Sequence, residues 1–354
     1  MGTAIAAAHL RCGQPVVLYD SVDAALQTAP QRIADELRLQ ELPLPNALLT
    51  CTGNLDDAVR CPVMIETIPE KLKAKQKLYQ RIAADRSPDA LLFSNTSTIS
   101  ISLLAQHLPA EWQHRFCGLH FFHPVRQRSL VEIIAGKQTD PATIEAAKEH
   151  ACKIDKRFIV VGDAPGFLVN RILNPYLSSA LALLEQKVDL GRIERAATQF
   201  GMKMGPFRIM DEIGLDVVLH AGWVLHKAFP DRTPQSPILL RLIDQGKLGR
   251  KTGQGFMHYP QQASWEGEGI LDPQFASADP QFASADTLLA ERGISDAEIV
   301  RRLFVPMYEE AVRCFEEGII SDLSSADMAS IEALGFPAER GGIVTWGKSH
   351  ERGG

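Results

Sequence analysis

Short apolar runs alternate with helical patterns through the first 163 residues, and that alternation leaves few folds open. PVVLYD (15–20), CPVMIET (61–67), ALLFSNT (90–96), FCGLHFF (116–122) and LVEII (130–134) have the length and the branched or aromatic content of buried strands. KLKAKQKLYQRIAADRS (71–87) and TIEAAKEHACKI (143–154) carry apolar residues at helical spacing. Strands linked through helices build βαβ units and a largely parallel sheet. After DAPGFLVN (163–170) the texture is helical only, in NPYLSSALALLEQK (174–187), LGRIERAATQFG (190–201) and a stretch around 215–229. The expectation is an α/β domain followed by helices, with Pro165-Gly166 as the hinge between them.

The opening residues sharpen that expectation. MGTAIAAAHL reads as the first turns of a helix, and PVVLYD as the next strand, ending on an acid. In a dinucleotide-binding unit this order follows a Gly-x-Gly-x-x-Gly turn. Here only Gly2 of such a turn stands in the chain, so the sheet is expected to lack its first strand. Asp20 is then the candidate for the ribose hydroxyls, and its charge favours NAD over NADP by repelling a 2′-phosphate.

Composition narrows the class. With 354 residues, 45% hydrophobic and 23% charged, the chain is long enough for two or three packed domains. A net charge of −6 and no long basic run argue against a nucleic-acid partner. No apolar run approaches the roughly 18 residues that a membrane span requires. The six cysteines form no CxxC pair, which fits reduced thiols in the cytoplasm rather than a disulfide framework or a zinc site.

Chemistry gathers at strand ends, where open α/β sheets bind ligands. SNTSTIS (94–100) either caps the next helix or sets Ser and Asn groups beside a ligand. GLHFFHPV (118–125) carries His120 and His123 without further metal ligands at suitable spacing, so no metal is expected. Glu132 lies in the apolar frame LVEII, a costly place for a carboxylate without a partner. If the two segments are adjacent strands, His120 satisfies that carboxylate, and Glu132 fixes the imidazole tautomer and strengthens it as a base. Otherwise Glu132 faces solvent from an edge strand.

The segments MGTAIA, VLYD, IPEKLKAKQ, FSNTSTISI, GLHFFHPV, LVEII, PGFLVNRILNPYL, MGPFRIMDEIGLD and GKLGRKTGQGF occur in this order. Together they resemble the L-3-hydroxyacyl-CoA dehydrogenase family. PMYEEAVRCFEEGII and ADMASIEALGFP resemble the second helical domain of the large multifunctional fatty-acid oxidation proteins. The resemblance implies NAD-dependent oxidation of L-3-hydroxyacyl-CoA to 3-oxoacyl-CoA in β-oxidation. It implies His120 as the general base paired with Glu132, and Ser97 and Asn170 as substrate contacts. For NAD it implies Met1, Gly2, Asp20, Glu70, Lys75, Ser97, His123 and Lys251. At His123 the family commonly has Asn or Ser. Lys71, Lys73 and Lys77 keep the ordinary reading of a solvated helix face.

The implied organisation is an NAD-binding domain (1–163), a helical substrate and dimerisation domain (164–259), a linker with the DPQFASA duplication (260–297) and a second helical domain (298–354). Both ends are expected to be cut relative to the family. The implied partners are an acyl-CoA thioester and either a second copy of the chain or a multifunctional oxidation complex. The competing expectation is a catalytically impaired fragment that binds acyl-CoA or acts as a scaffold.

Overall fold

The computed structural model describes residues 1–85, 89–259, 269–272, 275 and 294–351. They form two compact units, Met1–Phe167 and Leu168–Gly354. The boundary lies beside the expected Pro165-Gly166 hinge.

The first unit runs α1 (Gly2–Arg11), β1 (Val16–Tyr19), α2 (Asp23–Arg38), β2 (Leu49–Thr52), α3 (Leu55–Val59), β3 (Val63–Glu66), α4 (Leu72–Asp85), β4 (Leu91–Ser94), α5 (Ile101–Ala105), α6 (Ala110–Gln113), β5 (Phe116–Phe121), β6 (Leu130–Ala135), α7 (Pro141–Lys153) and β7 (Arg157–Gly162). The five strands expected from the apolar runs are β1, β3, β4, β5 and β6. β2 and β7 were not foreseen: LTCT is too polar, and RFIVVG begins on an exposed arginine.

The described strands of the first unit lie in two sheets, a parallel β1-β2 pair and a five-stranded sheet ordered β3-β4-β5-β6-β7. All pairings in the larger sheet are parallel except β5 with β6. That exception follows from the connection, because residues 122–129 are too few for the crossover of a dozen or more residues that parallel strands need. α1 packs into both cores. Its Ala4, Ile5 and Ala8 join Phe93, Leu119 and Ile133, while Ala6, Ala7 and Leu10 join Ile33 and Leu37 against Val16 and Leu18. A helix this rich in alanine can approach apolar surface on two sides.

The second unit contains α8 (Val169–Glu185), α9 (Leu190–Phe200), α10 (Pro206–Ile213), α11 (Leu215–Ala228), α12 (Pro237–Asp244), a short antiparallel pair β8 (Met257–His258) and β9 (Ile270–Leu271), then α13 (Asp296–Glu316), α14 (Leu323–Glu332) and α15 (Ile343–Glu351). The expected boundaries at 259 and 298 fall inside this unit. α13 lies on α8, with Tyr176 stacked on Phe304 and Phe304 on Phe200, so residues before 259 and after 294 share one core. α8 and α13 also echo each other: Arg171 and Arg302 each stand four residues before a proline. Arg171 donates to Glu317 at 2.6 Å, and Arg302 donates to Gln186 at 2.7 Å at the matching place on the other helix. Most of the expected linker, including nearly all of the DPQFASA duplication, lies outside the described residues.

Candidate active site

The register of β5 and β6 places His120 directly opposite Glu132. Side chains at such a pair share one face of the sheet, and here His120 Nδ1 lies 2.7 Å from Glu132 Oε2. Glu132 is fully buried and His120 nearly so. Phe122 and Phe167 stand around the imidazole at 4.7 and 6.1 Å between ring centroids. With Nδ1–H donating to the carboxylate, the tautomer leaves the Nε2 lone pair to face a substrate proton.

The neighbouring strand end supplies a shaped turn. Asn95, just past β4, accepts the Phe121 N–H through its side chain at 2.8 Å and so ties the SNTS turn to the strand of His120. Glu70 reaches the same turn from the loop after β3. Its Oε1 accepts the Thr96 hydroxyl (2.5 Å), the Ser97 N–H (3.0 Å), the Thr98 N–H (2.9 Å) and the Thr98 hydroxyl (3.0 Å). Burial alone raises the Glu70 carboxyl, but the Thr96 hydroxyl, the Lys75 charge and the Thr98 donors outweigh it and hold the group below the ordinary carboxylate value. Asp163 closes the far end, accepting the Ser100 hydroxyl and the Ile101 and Ser102 N–H groups at 2.7–2.9 Å. Of the two readings of SNTSTIS, capping is therefore present at Ser100, whose hydroxyl also accepts from Leu103 N. Ser97 is held half-buried between the two carboxylates.

Lys75 lies deeper than the other expected cofactor residues. It was expected to touch the cofactor, yet its side chain is 1% exposed, with the ammonium 2.7 Å from Glu66 Oε1 and 3.4 Å from Glu70 Oε2. Helical periodicity explains the contrast with Lys71, Lys73 and Lys77, which are exposed away from that face at the start of α4. Lys75 is a cation beneath the turn, and the Glu66 that holds it was not anticipated. A carboxylate ending the apolar run VMIE was the available signal, the same one that exposed Glu132.

The other expected cofactor residues occupy separate strand and helix ends. α1 begins at Gly2 after Met1 with no side-chain cap, so its first-turn N–H groups are open to an anion such as a pyrophosphate. A Cβ on Gly2 would lie 2.9 Å from Thr67 Oγ1, so glycine lets the helix start close against the end of β3. Asp20 follows β1 and folds back to accept the Val22 N–H at 2.9 Å, fixing its carboxylate at the strand end. Burial, with the positive charge of the Met1 amino group and, less strongly, of Arg126 and Arg128, pushes His123 below the ordinary imidazole value against the pull of Glu36. These groups fit a dinucleotide: open amides for phosphate, a carboxylate for ribose hydroxyls and an imidazole able to donate.

Two expected residues belong to the second unit. Asn170 is half-buried in the first turn of α8. Lys251 forms an exposed ion pair with Asp216. The glycine-rich GKLGRKTGQGF around Lys251 wraps the buried Asp211, which accepts the Phe256 and Met257 N–H groups and the Tyr259 hydroxyl. A Cβ on Gly255 would fall 1.9 Å from Asp211 Oδ1, and one on Gly249 would fall 2.3 Å from the Asp211 carbonyl. These glycines serve close packing.

Comparison with known proteins agrees with this arrangement. The profile of the 3-hydroxyacyl-CoA dehydrogenase NAD-binding domain matches residues 1–164, and that of the C-terminal domain of the same enzymes matches residues 166–259. A fatty acid oxidation complex subunit alpha from Pseudomonas aeruginosa is 34% identical over 98% of this chain. The chain spans about half (49%) of that relative's length. Among solved structures, (S)-3-hydroxybutyryl-CoA dehydrogenase from Ralstonia eutropha has 32% identity and a TM-score of 0.69 over 74% of this chain and 96% of its own. The Escherichia coli 3-hydroxybutyryl-CoA dehydrogenase shares the fold, with a TM-score of 0.81 at 24% identity over 99% of this chain and 89% of its own. With a buried His–Glu pair, a carboxylate-held serine turn and both family domains in sequence, the chain belongs to the NAD-dependent 3-hydroxyacyl-CoA dehydrogenase family.

Proposed function

We propose that the chain oxidises the 3-hydroxyl of an L-3-hydroxyacyl-CoA to a ketone, as a step of fatty-acid β-oxidation. The observation that carries this reading is the 2.7 Å contact between His120 Nδ1 and the wholly buried Glu132. Nδ1 donates to Glu132, so Nε2 receives the hydroxyl proton as the C3–H bond breaks and the carbonyl forms. Glu132 then faces an imidazolium and stabilises it without moving. NAD, when bound, supplies the acceptor for the departing hydride. Ser97 and Asn170 orient the substrate oxygen and the thioester portion. Met1, Gly2, Asp20, Glu70, His123 and Lys251 serve the cofactor, Glu70 through the turn it shapes. A positioned general base contributes about 10²–10⁴ in rate, and alignment of C3 supplies much of the remainder.

The partner in this reading is an acyl-CoA thioester. The chain works within a multifunctional oxidation assembly, as its Pseudomonas relative is named for, or as a homodimer; sedimentation of the purified chain separates the two. All six cysteines are free thiols, which suits the cytoplasm. None of the described helices is long and apolar enough to cross a membrane. The test is NADH consumption with acetoacetyl-CoA, for the chain and for His120→Ala. Equal rates would sink the reading. Tight acyl-CoA binding with no turnover in either protein would favour the impaired, scaffold-like alternative.

A further inference from the structure

The buried carboxylate of Glu66 has no part in the reaction proposed above, yet it is among the most heavily engaged groups in the first unit. Its Oε1 accepts the Ile68 N–H at 2.8 Å and the Lys75 ammonium at 2.7 Å. Its Oε2 accepts Lys75 at 2.9 Å, the Tyr79 hydroxyl at 2.8 Å and the Ser94 hydroxyl at 2.8 Å. Burial and the Glu66 charge push the Tyr79 hydroxyl well above its ordinary value, so it stays a donor. Lys75 then faces Glu70 Oε2, and Glu70 Oε1 gathers the four donors of residues 96–98. A second, shorter path runs through Ser94, whose hydroxyl donates to Glu66 and accepts the Thr96 N–H at 3.3 Å.

We propose that Glu66 is a positioning residue for Ser97, acting through Lys75 and Glu70 on the backbone of the 96–98 turn. Two carboxylates that share one buried ammonium cannot drift apart without leaving a charge unpaired, which is costly out of water. The ammonium is thereby pinned to β3 and the start of α4, and Glu70 is pinned to the ammonium. The turn inherits its place from the sheet rather than from its own short, hydroxyl-rich sequence. Asp163 holds the other end of the segment independently, through Ile101 and Ser102. The relay therefore predicts a local effect confined to one end. The proposal rests on Ser97 being a site residue, and the two ideas are tested by different measurements.

The first measurement is residue-resolved amide exchange on the full chain. In Glu66→Gln the Ser97 and Thr98 amides should exchange about tenfold faster or more, while the Ile101 and Ser102 amides keep their protection. A change of all four together, or of none, overturns the proposal. Should Glu66→Gln fail to fold, Glu66→Asp, which keeps the charge but draws the carboxylate back from Lys75, makes the same prediction for the same four amides. The second measurement is a double-mutant cycle on turnover with Ser97→Ala. If Glu66 acts through Ser97, the loss of about tenfold from Glu66→Gln shrinks to less than about twofold in the Ser97→Ala background. Equal losses in both backgrounds overturn the positioning role. A Ser97→Ala variant with full turnover sinks the functional reading of Ser97 instead, and the exchange pattern then decides the relay by itself.

Discussion

His120 and Glu132 are twelve residues apart in sequence and meet only because β5 and β6 pair in the one register that sets them opposite each other. A shift of one residue would turn Glu132 to the other face of the sheet. The pair makes direct predictions. His120→Ala should lower turnover by about 10²–10⁴ and should also lower the melting temperature, since it takes the imidazole away from the wholly buried Glu132. Glu132→Gln keeps the shape of the contact but removes the charge facing the imidazolium, and should cost about tenfold or more in kcat. NADH absorbance with acetoacetyl-CoA measures both. Lys75 shows the limit of residue-level reading: four lysines at alternate positions look alike in sequence, and only the phase of α4 against the sheet buries one of them.

At the scale of elements, helix ends in this chain are held by carboxylates from distant segments. Glu194 on α9 accepts the Phe207 N–H at 2.7 Å and so caps α10. Burial raises its carboxyl to about 7, against the pull of the Phe207 and Arg208 amides. The folded value lies above the unfolded one near 4.5, so the folded chain keeps a proton across that window that the unfolded chain has lost. Stability from this group is fully present below the unfolded value and is lost as pH rises towards 7. Thermal melts at pH 5 and pH 8 should show a fall for the native chain and a smaller fall for Glu194→Gln. Asp211, raised to about 6 by burial, supplies a remaining slope of the same sign. Gly205→Ala should destabilise the helical unit by about 1–3 kcal/mol, because its Cβ would stand 2.2 Å from Glu194 Oε2; denaturant titration checks this.

At the scale of the molecule, the second unit depends on a partnership between helices far apart in sequence. Arg171, wholly buried on α8, lies 4.4 Å over the Phe229 ring and is held by Glu310 and Glu317. Burial opposes its charge, but the Glu317 and Glu310 contacts more than restore it. Among the described residues Glu317, with its side chain 31% exposed, is the carboxylate left on Arg171 when Glu310 is removed, so Glu310→Ala should cost towards the lower end of about 3–5 kcal/mol. A chain ending at residue 259 should expose the α8 face that carries Tyr176. It should then bind a hydrophobic dye that the full chain does not bind, and an unchanged dye signal would show that α13 is dispensable.

The sequence by itself determined five strands of the first unit and the helices α1, α4 and α7 between them, the place of the hinge and the acid that needed a partner. Those properties follow from local period, turn residues and the cost of burying charge, all of which are written in contiguous residues. The β2 and β7 strands escaped because polar or exposed edges blur a period of two. Tertiary structure alone decided which lysine is buried, how Glu66 reaches Ser97 through two other side chains, and that residues after 294 share a core with α8. Each is a contact between segments whose sequences carry no mark of each other, made favourable only when packing removes water from both sides at once.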